Sequence, residues 1–389
     1  MSEDRGLLRA ISWHECFPWL ILFRAALIGF YLRVMFIAYV GVCVLSIGLW
    51  IGDTVFTWHG TPDLPVAEIE AASLAEQASA EMTLEMSPPA QEIASFLTTP
   101  LHPLYELIFE RKFTFLGGMK RVFLIVWYVA TLALFGGAIS RIAAMEFSIN
   151  DRCGLKGAFG HARRKFLGYF LAPIFPLIGV ALLMTILLAI GLLNWLGTWI
   201  AVLTGIFGFI AVFVAFGIGM LLVPLLVGWP LMWGAISTEN SDHFDALSRS
   251  YAYITQRPFH YLWYLIIAVV AGSVGLFAIT LLAYVMALAL DTGLHWGQGN
   301  EQTVAIADHP VAGAIWRFWS EVILRLIPAY AFGYFFAVFA GIYLLLRRDV
   351  DQAEMDEIVL DDNQPRFAMP ALNKNLDGSD DEAETPEAT

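Results

Sequence analysis

From Phe166 to Thr238 the chain runs for 73 residues without a single Asp, Glu, Lys or Arg. One helical crossing of a bilayer needs about 20 apolar residues, so this stretch is long enough for more than three crossings. A charge at the bilayer centre costs roughly 2.5–3.5 kcal/mol on insertion scales, and lipid therefore favours uncharged runs. The polar break from Asn194 to Gly197 predicts a hairpin of two transmembrane helices within the stretch.

The composition of the whole chain also indicates a membrane protein. It is 58% hydrophobic and 15% charged, with a mean hydropathy of +0.67, and a water-soluble fold of this composition would expose much apolar surface. We predict an all-α polytopic transmembrane bundle of about six spans, with interfacial amphipathic helices and a disordered acidic C-terminal tail. The predicted spans are residues 34–52, 122–140, 170–193, 198–225, 262–288 and 326–346.

Three regions follow from this pattern. Residues 1–33 form a cytoplasmic or interfacial N-terminal segment, residues 34–348 form the six-span membrane domain, and residues 349–389 form the tail, whose polar acidic composition predicts disorder. Acidic residues at Glu3 and Asp4, with a late start of the first apolar run, argue against a cleavable signal peptide. We therefore expect the first run to be retained as a membrane anchor.

Charge is distributed unevenly between the segments that connect the spans. Residues 53–110 contain ten acidic residues and no Lys or Arg, whereas residues 141–165 form the most basic block of the chain. The positive-inside rule assigns the basic block to the cytoplasm and the loops 53–121 and 291–325 to the outer side. This predicts a multi-pass protein of the plasma (inner) membrane with both termini cytoplasmic. Four basic residues beside the second span argue against this orientation: Arg111, Lys112, Lys120 and Arg121.

A four-residue repeat links two of the predicted spans. The sequence Gly-Ala-Ile-Ser ends the second span at residues 137–140 and the fourth at residues 234–237. Each copy is followed by a short amphipathic helix and then by an Arg-containing aromatic junction. Duplication and coincidence both remain open, because four identical residues also arise by chance in so biased a composition. Repeats of this kind are common in transporters, whose sites lie between the repeated halves.

The segment after the second copy carries a family resemblance. Residues 246–251 read Ala-Leu-Ser-Arg-Ser-Tyr, and Arg257-Pro258-Phe259 follow before the next span. With the six-span layout, this resembles bacterial integral membrane proteins related to the membrane domain attached to some glycerophosphodiester phosphodiesterases. The likeness covers roughly residues 230–290 and implies a membrane architecture. It implies no phosphodiesterase activity, because the sequence includes no soluble domain of that kind.

The sequence contains no recognised catalytic, cofactor-binding or metal-binding motif. The eight histidines are scattered, and patterns such as HExxH, GxxxxGK[ST] and GxSxG are absent. His295, Asp308 and His309 share one outer segment, where a metal site is a minor alternative to ordinary polar loop residues. The predicted spans hold no Asp, Glu, Lys, Arg or His, which argues against an ion-coupled pump. We expect no enzyme, no cofactor and, given the acidic balance, no nucleic-acid partner.

The basic block supplies the candidate site residues, as possible contacts for anionic lipid. They are Arg141, Arg152, Lys156, Arg163, Arg164 and Lys165. Each basic residue near an anionic membrane surface contributes about 1 kcal/mol to lipid attraction. The alternative is that the block serves only to set the orientation of the protein.

Small residues spaced four apart permit close helix packing at Gly333, Ala337 and Gly341, and at Ala271 and Gly275. They predict either a dimer face or packing within one bundle. Our leading hypothesis is a non-enzymatic scaffold or membrane-homeostasis component that contacts the lipid bilayer, with a homo-oligomer or another membrane protein as possible partners. The alternative is a permease-like transporter subunit for a small or lipidic substrate.

Overall fold

The computed structural model describes residues 17–57, 115–150 and 152–359, except the side chains of Thr57 and of six residues between 300 and 308. Within these ranges the chain is helical apart from short connections and contains no strand. Six helices are long and apolar enough to cross a membrane. The predicted class, a polytopic helical membrane protein with six spans, is confirmed. The predicted disorder of the tail concerns residues that, from 360 onward, lie outside the described part.

The helices follow one another with short connections inside each described range. A 3₁₀ turn at Pro18–Leu20 precedes α1 (Ile21–Gly29), α2 (Leu32–Thr57), α3 (Phe115–Ser148), α4 (Leu155–Arg164), α5 (Phe166–Leu193), α6 (Thr198–Ile206), α7 (Gly208–Glu239), α8 (His243–Gln256), α9 (Pro258–Asp308), α10 (Pro310–Leu324) and α11 (Leu326–Asp351). The spans are α2, α3, α5, α7, α9 and the pair α10–α11. Each contains one of the predicted spans except α7, which holds the predicted fourth span only from Gly208 onward, because residues 198–206 form the separate helix α6.

Local sequence explains several helix boundaries. The side chain of Asp242 accepts a hydrogen bond of 2.8 Å from the backbone N–H of Asp245, which caps the start of α8. Pro258 is the first residue of α9, where its missing N–H would have had no helical partner.

In α3, residues Leu132–Gly136 form a π-helical turn just before the first Gly-Ala-Ile-Ser copy.

Helix α11 lies at the centre of the bundle. Every residue from Ala329 to Leu346 except Phe339 is buried, and α1, α2, α3, α7 and α9 pack around it. A Cβ added at Gly333 would lie 2.9 Å from Val34, and one at Gly341 would lie 3.2 Å from Phe147. These small residues therefore serve close packing within the bundle.

The hairpin formed by α5, α6 and α7 is buried at one end only. Near its tip the large apolar side chains of Leu182, Leu188 and Phe213 are exposed, whereas every residue from Pro230 to Thr238 is buried. Such exposure is the ordinary state of lipid-facing positions in a membrane helix. The packed core includes the ends of α3, α7 and α11. We call these three helix ends, together with residues 141–165, 239–257 and 347–348, the basic end.

Residues 291–325 and the N-terminal segment each show a feature that the sequence-based prediction does not include. Residues 291–325, expected as an outer loop, are mostly helical: α9 is interrupted at Gly299, where φ is +72°, and α10 follows. The part of α9 from Pro258 to Gly299 has 42 residues and is about 63 Å long, roughly twice the hydrocarbon thickness. The part of α9 nearest Gly299 therefore extends well beyond one crossing of the bilayer. The other predicted loop, 53–121, is described only at its two helical margins.

The N-terminal segment also contributes to the core. Helix α1 packs against α9 and α11, and its Leu22, Ala25 and Ile28 are completely buried. It was expected to lie in the interface as part of residues 1–33. One face of α1 therefore packs on protein, whereas Phe23 and Leu27 of the same helix are 41% and 63% exposed.

The packing of α9 on α11 gives a test of the core. A Cβ at Gly275 would lie 1.7 Å from the hydroxyl oxygen of the buried Tyr330. We expect Gly275→Ala to lower the melting temperature in detergent, because overpacking costs about 1–3 kcal/mol. In the same helix, a Cβ at Gly293 meets nothing within 4 Å. Gly293→Ala should be neutral or slightly stabilising, since Ala exceeds Gly in helix propensity by about 1 kcal/mol. Equal melting of the two variants would contradict the close contact.

Candidate functional site

Helix α4 directs a group of basic side chains outward. Its Ala158, His161 and Ala162 are completely buried, and the ring of His161 lies 3.1 Å from the hydroxyl of Tyr169. At about 100° per residue, the side opposite this buried face carries the basic side chains of the helix. With the preceding connection they form what we call the basic collar, whose members are all exposed: Arg152, Lys156, Arg163 and Arg164.

Arg141 and Lys165 have a different role from the collar. Arg141 is 2% exposed and donates a hydrogen bond of 2.6 Å to the carbonyl oxygen of Ser237, while Lys165 donates one of 2.6 Å to that of Asn240. The last carbonyls of a helix lack intrahelical donors, and cations there also interact favourably with the helix dipole. The prediction that Arg141 contacts lipid is therefore wrong, because its guanidinium is buried at the end of α7. Lys165 is half-buried and performs the same capping.

A first charged cluster lies at the end of α3. The carboxylate of Glu146, with a side chain only 7% exposed, accepts hydrogen bonds from Arg24 at 3.1 Å, from Arg33 at 3.3 Å and from the hydroxyl of Tyr31 at 3.3 Å. Arg33 also donates to the carbonyl oxygen of Cys153 at 2.8 Å. A buried carboxylate needs such partners, because an unpaired charge is costly to desolvate. The cluster therefore ties the start of α2 to the end of α3.

A second cluster of the same composition lies at the end of α7. The carboxylate of Glu239 pairs with Arg249 and, at 3.0 Å, with Arg347, and it accepts a hydrogen bond of 2.8 Å from the hydroxyl of Tyr343. Arg249 also pairs with Asp245 one turn earlier in α8. This cluster joins α7, α8 and α11.

The two clusters resemble each other in structure, and each follows one copy of the Gly-Ala-Ile-Ser sequence. In each, a helix that carries the motif ends in a Glu held by two arginines and one tyrosine. Each helix is followed by an asparagine in the left-handed conformation, Asn150 with φ of 56° and Asn240 with φ of 57°. The spacing from motif to Glu differs, since Glu146 lies six residues after its Ser and Glu239 lies two residues after its Ser. Sequence comparison of the two copies misses the likeness for this reason.

Two tyrosines attach the end of α11 to neighbouring helices. The hydroxyl of Tyr264 donates to Asp349 at 2.6 Å, and that of Tyr253 donates to Asp351. Burial, together with the neighbouring carboxylate of Asp351, raises the pKa of Tyr253 above its ordinary value. Its hydroxyl therefore stays protonated and remains a donor at physiological pH.

A cleft opens beside the first cluster. Its volume is about 770 Å³, and it is lined by Tyr31, Leu32, Arg33, Phe36, Arg152 and Leu155. A smaller cleft of about 340 Å³ lies between α9 and α10, with Asp291, Trp316 and Arg317 among its lining residues. The described residues hold no group of three His, Cys, Asp or Glu side chains that could bind a metal. The alternative at His295, Asp308 and His309 includes a side chain outside the described part.

Comparison with known proteins gives no match for this chain among family models, curated proteins or solved structures. The resemblance based on residues 246–259 therefore stays a prediction. Function has to be argued from the geometry of the basic end.

The second cluster provides a test of how the basic end is held together. We expect Glu239→Gln to destabilise the protein by about 3 kcal/mol, because Arg249 and the largely buried Arg347 lose their countercharge. Glu321→Gln is the matched control, since Glu321 is 62% exposed and its pair with Arg325 spans 3.7 Å. Exposed pairs of this kind contribute about 0–1 kcal/mol. Thermal unfolding in detergent compares the two variants, and a larger loss for Glu321→Gln would refute the role assigned to Glu239.

Proposed function

We propose that this protein is a non-enzymatic structural component of the plasma (inner) membrane that contacts anionic lipid through its basic collar. The observation that carries the proposal is the division of the basic block into two sets. Arg141 and Lys165 turn inward and cap α7, whereas Lys156 and Arg163 are exposed on the opposite side of α4 and Arg152 is exposed in the connection before it. The outward set has the geometry that attraction to anionic head groups needs.

The rigidity of the basic end supports a structural role. The clusters around Glu146 and Glu239 hold five helices, α1, α2, α3, α7 and α11, in fixed relation, with α8 attached through Arg249. The collar is therefore presented on a preorganised base, and contact with lipid needs no rearrangement of the protein. Preorganisation of this kind lowers the entropic cost of binding.

The distribution of charge supports a cytoplasmic location for the basic end and for both termini. We expect an impermeant thiol reagent applied to intact cells to label Ala75→Cys and Asn300→Cys in a chain whose native cysteines are replaced by serine. The same reagent should fail at Leu155→Cys and Asn375→Cys until the cells are permeabilised, because a membrane separates the two pairs. The reverse pattern would refute this orientation.

The collar proposal predicts a selective loss of lipid preference. In nanodiscs of phosphatidylglycerol and phosphatidylcholine, Lys156→Gln combined with Arg163→Gln should lower enrichment of the anionic lipid around the protein by at least several-fold. Each basic residue contributes about 1 kcal/mol, which is roughly a factor of five. Lys120→Gln combined with Arg317→Gln removes the same charge elsewhere and should leave enrichment unchanged. The lipid that co-purifies with each variant is quantified, and equal losses in both pairs would contradict the proposal.

A second candidate, the permease-like subunit, is favoured by the repeated clusters. Both motif-bearing helices, α3 and α7, pack against α11, and transporter sites commonly lie between repeats. Reconstitution separates the two candidates. Faster transbilayer movement of fluorescent phosphatidylglycerol than in protein-free vesicles would favour a lipid permease, whereas an unchanged rate would favour the structural role.

A further inference from the structure

The cleft beside the first charged cluster combines cations with apolar surface. Its lining residues come from the start of α2 and from the connection that leads into α4. Since α2 is a membrane span, the cleft lies where a span meets the basic collar. Basic pockets in this position bind the head groups of anionic lipids.

The cations of the cleft are arranged in advance. Arg33 is held by the carbonyl oxygen of Cys153 and by Glu146, and 19% of its side chain remains exposed. Arg152, which also lines the cleft, is exposed. Glu146 also pairs with Arg24. The cleft and the cluster beside it therefore contain the guanidinium groups of Arg24, Arg33 and Arg152 and the one carboxylate of Glu146. The local excess of positive charge suits a phosphate, which guanidinium groups bind with favourable geometry.

The apolar lining continues along α2 as a stripe. Leu32 and Phe36 are 86% and 59% exposed, and Ile47 and Trp50 are also exposed. At about 100° per residue, all four lie within about 60° of the helix circumference. From Leu32 to Ile47 the stripe is about 22 Å long, which exceeds the depth of one leaflet, about 15 Å. A chain whose head group sits in the cleft would meet the exposed side chains of Leu32 and Phe36 first and that of Ile47 further along, while Cys43 between them is partly buried and contacts the guanidinium of Arg325.

We propose that this cleft is a specific site for one anionic glycerophospholipid of the adjoining leaflet. Its phosphate lies between Arg33 and Arg152, and one acyl chain runs along the stripe that begins at Leu32 and Phe36. The inference rests on the proposed function, because it names a defined site within a lipid-contacting surface. Free phosphate would leave the apolar lining uncovered, and a lipid is therefore the ligand to which we commit.

The site is tested on the delipidated full-length protein, titrated with phosphatidylglycerol and followed by native mass spectrometry. We expect one molecule to bind more tightly than the rest. Arg152→Gln should weaken this first step about five-fold, the factor expected for one basic residue, and Phe36→Ala should weaken it as well. The matched controls are Arg317→Gln, an exposed arginine of α10 outside the collar, and Val55→Ala near the other end of α2, where Val55 is 58% exposed. Neither control should change the first step, and inorganic phosphate should not displace the lipid.

The outcomes separate this inference from the proposed function. Equal weakening by Arg152→Gln and by the collar variant Arg163→Gln, without a distinct first step, would overturn the cleft site and leave the collar as a diffuse lipid contact. Equal binding of phosphatidylglycerol and phosphatidylcholine by the unmodified protein would overturn both. Displacement by inorganic phosphate would overturn the assignment to a lipid. Arg152 and Phe36 are both exposed, so unchanged melting temperatures are expected for their variants and would confirm that any loss of binding is local.

Discussion

The hydrogen bond from Arg141 to the carbonyl oxygen of Ser237 fixes the geometry of the basic end. It joins the residue that follows the first Gly-Ala-Ile-Ser copy to the last residue of the second copy. Both helix segments are wholly buried there, from Gly137 to Phe147 and from Pro230 to Thr238. A buried guanidinium is tolerated only where acceptors are provided, and the unsatisfied carbonyls at the end of α7 provide them. The direction in which α4 leaves the end of α3, and therefore the direction in which the collar faces, depends on this contact between α3 and α7.

Two different physical causes produce the apolar sequence of this chain. Helix α5 and helix α11 are both strongly apolar, but 11% of the most apolar stretch of α5 is buried, against 94% of that of α10–α11. The first is apolar because it faces lipid, and the second because it lies inside protein. Hydropathy is high in both cases and cannot separate them. The central position of α11 therefore emerges only when the other helices are assembled around it.

The sequence allowed the spans to be predicted, because they depend on local composition. The inward role of Arg141 could not be predicted in the same way. Arg141 and Arg163 are both arginines in one basic block, and only the position of α7, about a hundred residues further along the chain, distinguishes them. The partners of Glu146 and Glu239 are hidden for the same reason, since most come from distant helices. Charge counting indicated the side of the membrane for residues 291–325, but it carries no information about their helical structure.

The chemistry of the two clusters favours a structural role over a catalytic one. A general acid or base needs a free position from which a proton can move to or from a substrate. The carboxylates of Glu146 and Glu239 each accept hydrogen bonds or ion pairs from two guanidinium groups and one hydroxyl, which occupy three of their about four lone-pair positions. Their arginines pair with these carboxylates and fix helix ends in place. In this arrangement the paired charges inside the protein hold the bundle together, whereas the basic side chains of the collar are exposed on its surface.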